Sequence, residues 1–139
     1  MSDQAASLTA LSTPFLRYLG VEVSHWSRGR AELTLQTRAE HGNLSGIVHG
    51  GVLATLMDTA CGYCGMDPEE GAIAGTATIT LSIQYMAPAR IDEQLTVTGS
   101  RTGGGRRIHF ARAEIRNEQG ELLATADGTF RHSRQAGRE

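Results

Sequence analysis

The clearest pattern in the chain is a run of ten residues, 76–85, in which apolar and polar side chains alternate. Strict alternation is typical of a β-strand with one buried face. The same period covers residues 30–37 and 108–115, and shorter matches mark 21–26, 95–97 and 122–130. Glycine-rich or polar turns at 103–105 and 117–120 predict hairpins. Because such short turns join only antiparallel strands, we predict an antiparallel sheet.

Two segments carry helical signals instead. Thr13 and Pro14 are typical of an N-cap and a first helical residue, and Gly20 predicts where this short helix ends. Between His49 and Gly65, apolar residues occupy nearly every side of a helical wheel, so we predict a helix buried all round. The fold class is therefore α+β, with an antiparallel sheet wrapped around a long central helix and a second subunit covering its remaining side.

The chain of 139 residues is long enough for one core. We expect a loose N-terminal segment at 1–12, a single domain at 13–131 and a C-terminal tail at 132–139. The N-terminus is polar and acidic, and no stretch of 18 apolar residues occurs, so we expect a cytoplasmic protein with no membrane partner.

Composition narrows the chemistry. Hydrophobic residues make up 40% and charged residues 20%, and the net charge of -2 gives no basic field for nucleic acid. All 13 cationic side chains are arginine. The absence of lysine excludes Schiff-base and pyridoxal-phosphate chemistry and a Walker-type phosphate lysine. Any catalysis must use carboxylates, imidazoles or thiols.

Cys61 and Cys64 form a Cys-Gly-Tyr-Cys motif that invites a redox or zinc interpretation. A zinc site needs four ligands, and the five histidines offer no spacing that completes one. We therefore expect small core cysteines and no metal.

Asp58 is the most unusual residue, because it lies in the middle of the apolar helix. A carboxylate there costs several kcal/mol unless it is paired or works at a site. Its role is either a hydrogen bond to a nearby turn or that of a general base or nucleophile.

His49-Gly50-Gly51 stands where loop becomes helix, and free N–H groups at a helix start can hold a developing oxyanion. A plain glycine-rich helix entry is the alternative. The motif is shared with the oxyanion loop of lipases, but no G-x-S-x-G follows, which disfavours a serine hydrolase. Asn43 lies in a Gly-Asn-Leu-Ser-Gly loop, where turn chemistry alone explains it.

Residues 43–60, with Asn43, His49-Gly50-Gly51 and Asp58, and the strand 76–89 together resemble the PaaI-like group of hotdog-fold acyl-CoA thioesterases. The resemblance implies that Asp58 is the catalytic carboxylate and that the Gly50 N–H polarises the thioester carbonyl. It also implies that His49 and Asn43 position the thioester or the water. Thr76 falls where the family tends to carry a hydroxyl that orients the carboxylate or the water. Residues 89–93 depart from the Gly-Asp turn of many relatives.

The types of ionisable residue in the chain suit thioester hydrolysis, apart from any resemblance. The coenzyme A thiolate has a conjugate acid of pKa roughly 8 to 9 by analogy with cysteine, so it leaves without much protonation. One carboxylate and one oxyanion donor suffice, and no cofactor is required beyond the coenzyme A of the substrate.

The spacing of His49 and Asp58 indicates a shared site. Nine residues on one helix span roughly 13 Å, too far for both to touch one carbonyl. We therefore expect a homodimer in which Asp58 of one chain faces Gly50 of the other. The resemblance adds a tetramer of two dimers.

Weaker candidates for substrate contacts are Gly51, Arg90, Arg106 and Arg107, although arginines beside turns are commonly just solvated. An acyl pocket or ordinary core packing equally explains a further set: Phe15, Trp26, Leu53, Met57, Cys61 and Tyr63.

Two other functions compete with acyl-CoA hydrolysis. The first is a hydratase or dehydratase acting on enoyl or hydroxyacyl thioesters, which needs an acid and a base near the α and β carbons. The second is a non-catalytic acyl-CoA binder, which would keep the pocket without needing Asp58. Aromatic acyl groups such as phenylacetyl or hydroxybenzoyl are favoured by the resemblance alone.

Overall fold

The computed structural model describes residues 8–70 and 75–133. We label its helices α1 (Pro14–Leu19) and α2 (Gly50–Cys64), with a short 3-10 helix at Ala39–His41. The strands are β1 (Val21–Ser27), β2 (Arg30–Gln36), β3 (Thr76–Tyr85), β4 (Gln94–Gly104), β5 (Ile108–Arg116) and β6 (Leu122–His132). These elements match the predicted ones in type and order.

The six strands form one antiparallel sheet in the order β1-β2-β4-β5-β6-β3, wrapped around α2. The helix lies close to the sheet at Gly99 of β4, where an added Cβ would overlap the backbone of Ala60. Alternate residues of the central strands fill the space beneath the helix, as in Leu33, Val97 and Ile115, which have no exposed area. The α+β hotdog prediction is confirmed.

Strand β3 lies at the edge of the sheet, where it pairs with β6 on one side. The prediction of a strand is correct, but the predicted burial of its apolar face is only partial. Ile79 is 52% and Tyr85 is 54% exposed. Ile79 is exposed because the neighbouring Thr78 faces the helix and the pairing is irregular between Thr78 and Thr80, which leaves Ile79 on the outer face. Tyr85 is exposed because an edge strand has a neighbour on one side only.

Helix α2 is buried on the face toward the sheet, by Leu53, Met57 and Ala60 among others. Its other face is open in the single chain: Gly51 is exposed, and Asp58 is half-buried. Burial on every side is therefore not a property of one chain, because the sheet wraps only part of the helix.

Helix α1 follows its predicted signals. The Thr13 hydroxyl accepts the Leu16 N–H at 3.3 Å, and Gly20 ends the helix with a φ of 88°. A left-handed residue at this position favours glycine. Side chains from the 3-10 region then satisfy the terminal carbonyls: Arg38 donates to the oxygens of Tyr18 and Leu19.

The predicted loose terminus at 1–12 is wrong for its last residues. Residues 8–10 are helical, and Leu11 is only 2% exposed in the core. The Tyr63 hydroxyl also donates to the Leu11 carbonyl at 2.8 Å. Residues 1–7 lie outside the described ranges. At the other end, β6 extends to His132, and residues 134–139 of the predicted tail are likewise outside them.

Candidate active site

Asp58 occupies a pocket between α2 and the start of β3. Its Oδ1 accepts a hydrogen bond of 2.6 Å from the hydroxyl of Thr78, which β3 carries on its inner face. The pocket has a volume of about 170 Å³ and is lined by Thr13, Phe15, Leu16, Asp58, Thr59, Gly62, Tyr63, Thr76, Thr78 and Phe130. It joins one carboxylate and four hydroxyl-bearing threonines to an apolar wall of aromatic rings.

The hydroxyl that contacts Asp58 is that of Thr78 and not that of Thr76. Thr76 also lines the pocket, but its Oγ1 lies next to Gly62, where an added Cβ would come within 2.8 Å of it. Both threonines lie on the same face of β3 because side chains alternate along a strand. The hydroxyl that contacts Asp58 therefore lies two residues further along β3 than the family resemblance implies.

The start of α2 carries the second part of the candidate site. His49 is the N-cap, and its Nδ1 accepts the Gly51 N–H at 2.8 Å. The Tyr85 hydroxyl donates to the Gly50 carbonyl at 2.8 Å. The Gly50 N–H is in the first turn, where no intrahelical acceptor exists, and it has no other acceptor within residues 8–70 and 75–133. The predicted donor is therefore available, whereas the N–H of Gly51 is already used.

One chain does not bring the two parts together. Gly50 and Asp58 are eight residues apart on one helix, a rise of about 12 Å. Strand β3 passes both of them, with Thr78 at Asp58 and Tyr85 at Gly50. The oxyanion donor and the carboxylate therefore lie toward opposite ends of the same edge strand.

Asn43 is used in its own loop. Its Oδ1 accepts the N–H groups of Ser45 and Ile47 at 3.0 and 3.2 Å, which is the geometry of an Asx turn. The loop is anchored to its neighbours by a hydrogen bond from the Val48 N–H to the Ala89 carbonyl, at 2.9 Å. Turn chemistry thus accounts for the oxygen of Asn43, while its role toward a substrate stays a prediction.

The three candidate arginines are split between the ends of α2. Arg90 follows Ala89, which bonds to the segment just before the helix start. Arg106 lines a cleft of about 610 Å³ that also contains Arg101, Cys64 and His132 among its lining residues. Arg107 lines another cleft, of about 600 Å³, whose lining is Ala77, Arg107, Arg131, His132 and Ser133. Neither cleft includes Asp58.

The cysteines are core residues, as predicted. Cys61 and Cys64 are free, at most 1% exposed, and the Cys64 thiol donates to the Cys61 carbonyl at 3.1 Å. Burial raises the pKa of Cys64 to about 12 and also raises the pKa of Cys61. Neither thiol is activated as a nucleophile. Within the described part of the chain, no cluster of three metal-ligating side chains occurs.

Sequence reasoning missed three residues of this region. Phe130 of β6 lines the Asp58 pocket, Thr78 bonds to the carboxylate, and Tyr85 bonds to the helix start. Thr78 had a detectable signal, since it shares the alternation of Thr76. Of the predicted acyl-pocket set, Phe15 and Tyr63 line this pocket, whereas Trp26, Leu53, Met57 and Cys61 are in the core.

A sheet wrapped around one helix, with a carboxylate in mid-helix and glycines at the helix start, defines the chain as a hotdog-fold thioesterase. Residues 45–124 match the model of the thioesterase superfamily, more than half of the chain. The chain therefore belongs to the thioesterase superfamily.

Individual relatives agree with this assignment. The medium/long-chain acyl-CoA thioesterase YigI of Escherichia coli K12 is 30% identical over 131 residues, covering 84% of each chain. Acyl-coenzyme A thioesterase 13 of Mus musculus is 31% identical over 104 residues, covering 74% of this chain and 70% of its own. Among solved structures, a variant of the phenylacetic acid degradation protein PaaI of Thermus thermophilus is 28% identical with a TM-score of 0.75, covering 86% of this chain and 98% of its own.

None of the described helices is long and apolar enough to cross a membrane.

Proposed function

We propose that this protein hydrolyses acyl-CoA thioesters to the free acid and coenzyme A. Asp58 acts as general base or nucleophile, and the Gly50 N–H donates to the thioester oxygen. The observation that carries the proposal is the short bond from Thr78 to Asp58 inside a pocket with an aromatic wall. The names of two relatives as acyl-CoA thioesterases support the choice of substrate class.

The hydrolysis needs few groups. As a base, Asp58 takes a proton from water while the water oxygen attacks the thioester carbon; as a nucleophile, its oxygen attacks directly and water then cleaves the anhydride. Negative charge develops on the carbonyl oxygen, where the Gly50 N–H stabilises it. The C–S bond then breaks and the thiolate leaves with little need for protonation. This attack at the carbonyl carbon distinguishes hydrolysis from the alternative hydratase chemistry.

We propose that the active site is shared between two subunits related by a two-fold axis. One edge of β3 has no strand partner among the described residues, and it supplies the contact because two copies of an edge strand can pair antiparallel. To bring Thr78 of one chain opposite Tyr85 of the other, the axis must pass near Leu81 and Ser82, midway between them. Asp58 of one subunit then approaches Gly50 of the partner subunit. Two such dimers form the tetramer that the family resemblance implies.

We propose that the acyl group carries a single aromatic ring. Phe15, Leu16, Tyr63 and Phe130 supply the apolar lining, and about 170 Å³ is close to the size of cavities that hold one benzene ring. Phenylacetyl-CoA and hydroxybenzoyl-CoA fit this description. One relative is named a medium/long-chain acyl-CoA thioesterase. The rates with long acyl chains and with aromatic acyl groups must therefore be compared.

The phosphates of coenzyme A are assigned to arginines around the shared site. Arg107 and Arg131 line a cleft together with Ala77, which precedes Thr78 on β3. Arg106 lies next to Arg107 in the turn between β4 and β5 and lines a second cleft. In the proposed dimer, Arg90 of the partner subunit comes to the same region with its helix start. Guanidinium groups bind phosphate in two-pronged geometry, which suits this role.

The experiment is a panel of phenylacetyl-, hydroxybenzoyl-, octanoyl- and palmitoyl-CoA, scored by release of free thiol. We expect the wild type to turn over the aromatic substrates fastest. Asp58→Asn should lower kcat about a hundredfold or more while the fold and coenzyme A binding persist. The matched control is Asp127→Asn, which alters an exposed carboxylate of β6 and should keep wild-type activity. Hydrolysis by Asp58→Asn at the wild-type rate would contradict the assignment.

A further inference from the structure

Tyr85 makes a contact at the start of α2 that the mechanism above does not use. Its hydroxyl donates to the Gly50 carbonyl at 2.8 Å, across 35 residues of sequence. Its ring covers the same glycine, since an added Cβ on Gly50 would lie 3.4 Å from the Tyr85 ring and hydroxyl atoms. The last residue of β3 therefore holds the first residue of the helix.

The Gly50 carbonyl belongs to the same peptide unit as the Gly51 N–H, which donates to Nδ1 of His49 at 2.8 Å. Three groups thus form a chain of hydrogen bonds: the Tyr85 hydroxyl, the Gly50–Gly51 peptide and the His49 ring. A bond to the carbonyl side of a peptide polarises it and strengthens the bond that its N–H donates.

These hydrogen bonds also determine which ring nitrogen of His49 carries the proton. Because Nδ1 accepts a hydrogen bond, the proton of the neutral ring is on Nε2. The side chain of His49 is exposed, and Nε2 has no acceptor within the described ranges 8–70 and 75–133. His49, the residue before Gly50, therefore offers a second N–H donor that has no acceptor in the described ranges.

We infer that Tyr85 is a positioning residue of the oxyanion site: through the Gly50–Gly51 peptide it holds His49 in the Nε2–H form, ready to donate to the thioester oxygen. The inference rests on the proposed function. Tyr85 itself does not touch the reacting atoms. Loss of its hydroxyl leaves the helical bond to the Gly50 carbonyl in place, so the fold does not depend on it.

The first test is Tyr85→Phe, which keeps the ring over Gly50 and removes the hydroxyl. We expect kcat to fall about five- to tenfold, as for the loss of one hydrogen bond, with KM unchanged. The control is Tyr18→Phe, because Tyr18 is 81% exposed and lines none of the site. Nitrogen-15 NMR of the His49 ring should show a larger share of the Nδ1–H tautomer in Tyr85→Phe than in the wild type.

A double-mutant cycle then tests whether Tyr85 acts through His49. His49→Asn keeps an N-cap oxygen but removes the imidazole donor. In that background, Tyr85→Phe should change kcat less than twofold. Equal losses in both backgrounds, or an unchanged tautomer signal in Tyr85→Phe, would overturn the inference while leaving the Asp58 result intact. The NMR measurement does not depend on turnover, so it decides the inference even if no acyl-CoA is hydrolysed.

Discussion

Asp58 accepts its short hydrogen bond through Oδ1 and so keeps Oδ2 free of protein partners in the described part of the chain. A hydroxyl bond to one oxygen fixes the plane of the carboxylate. In the proposed mechanism, the other oxygen is the one that abstracts the proton or attacks. At the residue scale, one threonine therefore orients the carboxylate of Asp58.

We predict that Thr78→Val lowers kcat about tenfold, because a hydrogen bond to a charged group is lost at nearly constant volume. Thr78→Ser should restore most of the activity, since it keeps the hydroxyl. Thr76→Val should have a smaller effect, as its hydroxyl packs beside Gly62. Steady-state kinetics of the three variants check this. A greater loss in Thr76→Val than in Thr78→Val would reverse the roles of the two threonines.

At the scale of the elements, the end of α2 is held by side chains from distant strands. The Trp26 indole donates to the Tyr63 carbonyl at 3.0 Å, and Nε2 of His109 lies 2.9 Å from the Cys61 carbonyl. Carbonyls of the last turn lack the regular helical partner, and these side chains bind them together with the Met66 N–H at Tyr63 and the Cys64 thiol at Cys61. Gly65 must be small here, because a Cβ would overlap the His109 ring.

The imidazole of His109 also lies 2.8 Å from that of His132, with the two rings at nearly right angles. Burial is the main cause that lowers the pKa of both rings, and the charge of Arg101 lowers both further. Two smaller effects oppose it: the bond to the Cys61 carbonyl raises the pKa of His109, and the charge of Glu70 raises that of His132. Both rings are therefore held neutral in the folded state.

We predict that the protein loses stability as the pH falls below about 6.5, which is the ordinary pKa of a histidine side chain. Because the pKa values are lowered on folding, the unfolded chain binds more protons than the native chain in that range. Above this pH, the contribution of the two neutral histidines to the free energy of unfolding should be complete. Urea denaturation at pH 7.5 and 5.5 measures the change, and His132→Gln should weaken it. Equal midpoints at the two pH values would be incompatible with this account.

At the scale of the whole molecule, the open edge of β3 and the open face of α2 lie on the same side of the chain. Both ends of the candidate site are found there, at Thr78 and Tyr85. A second copy paired along β3 would cover the exposed apolar side chains Ile79 and Tyr85 while it completes the site. The proposed dimer would therefore account both for the exposed strand and for the distance between the two parts of the candidate site.

We predict that a mixture of Asp58→Ala and Gly50→Pro chains, each inactive alone, regains hydrolysis. In a mixed dimer, one site receives both intact groups and the other receives neither. Half of randomly mixed dimers have this form, so activity should approach roughly a quarter of wild type. Confirmed subunit exchange without recovery would exclude a shared site.

Disulfide cross-linking tests the register in which the two β3 strands pair in the proposed dimer. Ser82→Cys places a thiol near the proposed two-fold axis, and oxidation should give a disulfide-linked dimer. Gln84→Cys, two residues further along the strand and also exposed, is the control and should cross-link much less. The native thiols do not interfere, because Cys61 and Cys64 are buried.

Local patterns were enough to predict the elements and the main candidates. The alternation at 76–85, the capping signals at Thr13 and Gly20, and the apolar helix containing Asp58 are all short-range features, and each produced the element expected. The glycines at the start of that helix, Gly50 and Gly51, could be recognised for the same reason. Such signals depend on backbone preferences and periodicity within about one element.

Only the tertiary structure decided which distant residues meet. Thr78 rather than Thr76 reaches Asp58 because of where β3 crosses α2. The irregularity in the pairing of β3 with β6, between Thr78 and Thr80, lets Thr78 and Tyr85 contact the same helix although they are an odd number of residues apart. Tyr85 meets Gly50 for the same reason, and the exposure of Tyr85 follows from the position of β3 at the sheet edge. Periodicity assigns a side chain to a face of its element, but the partner across the gap depends on how two elements pack, which no local pattern contains.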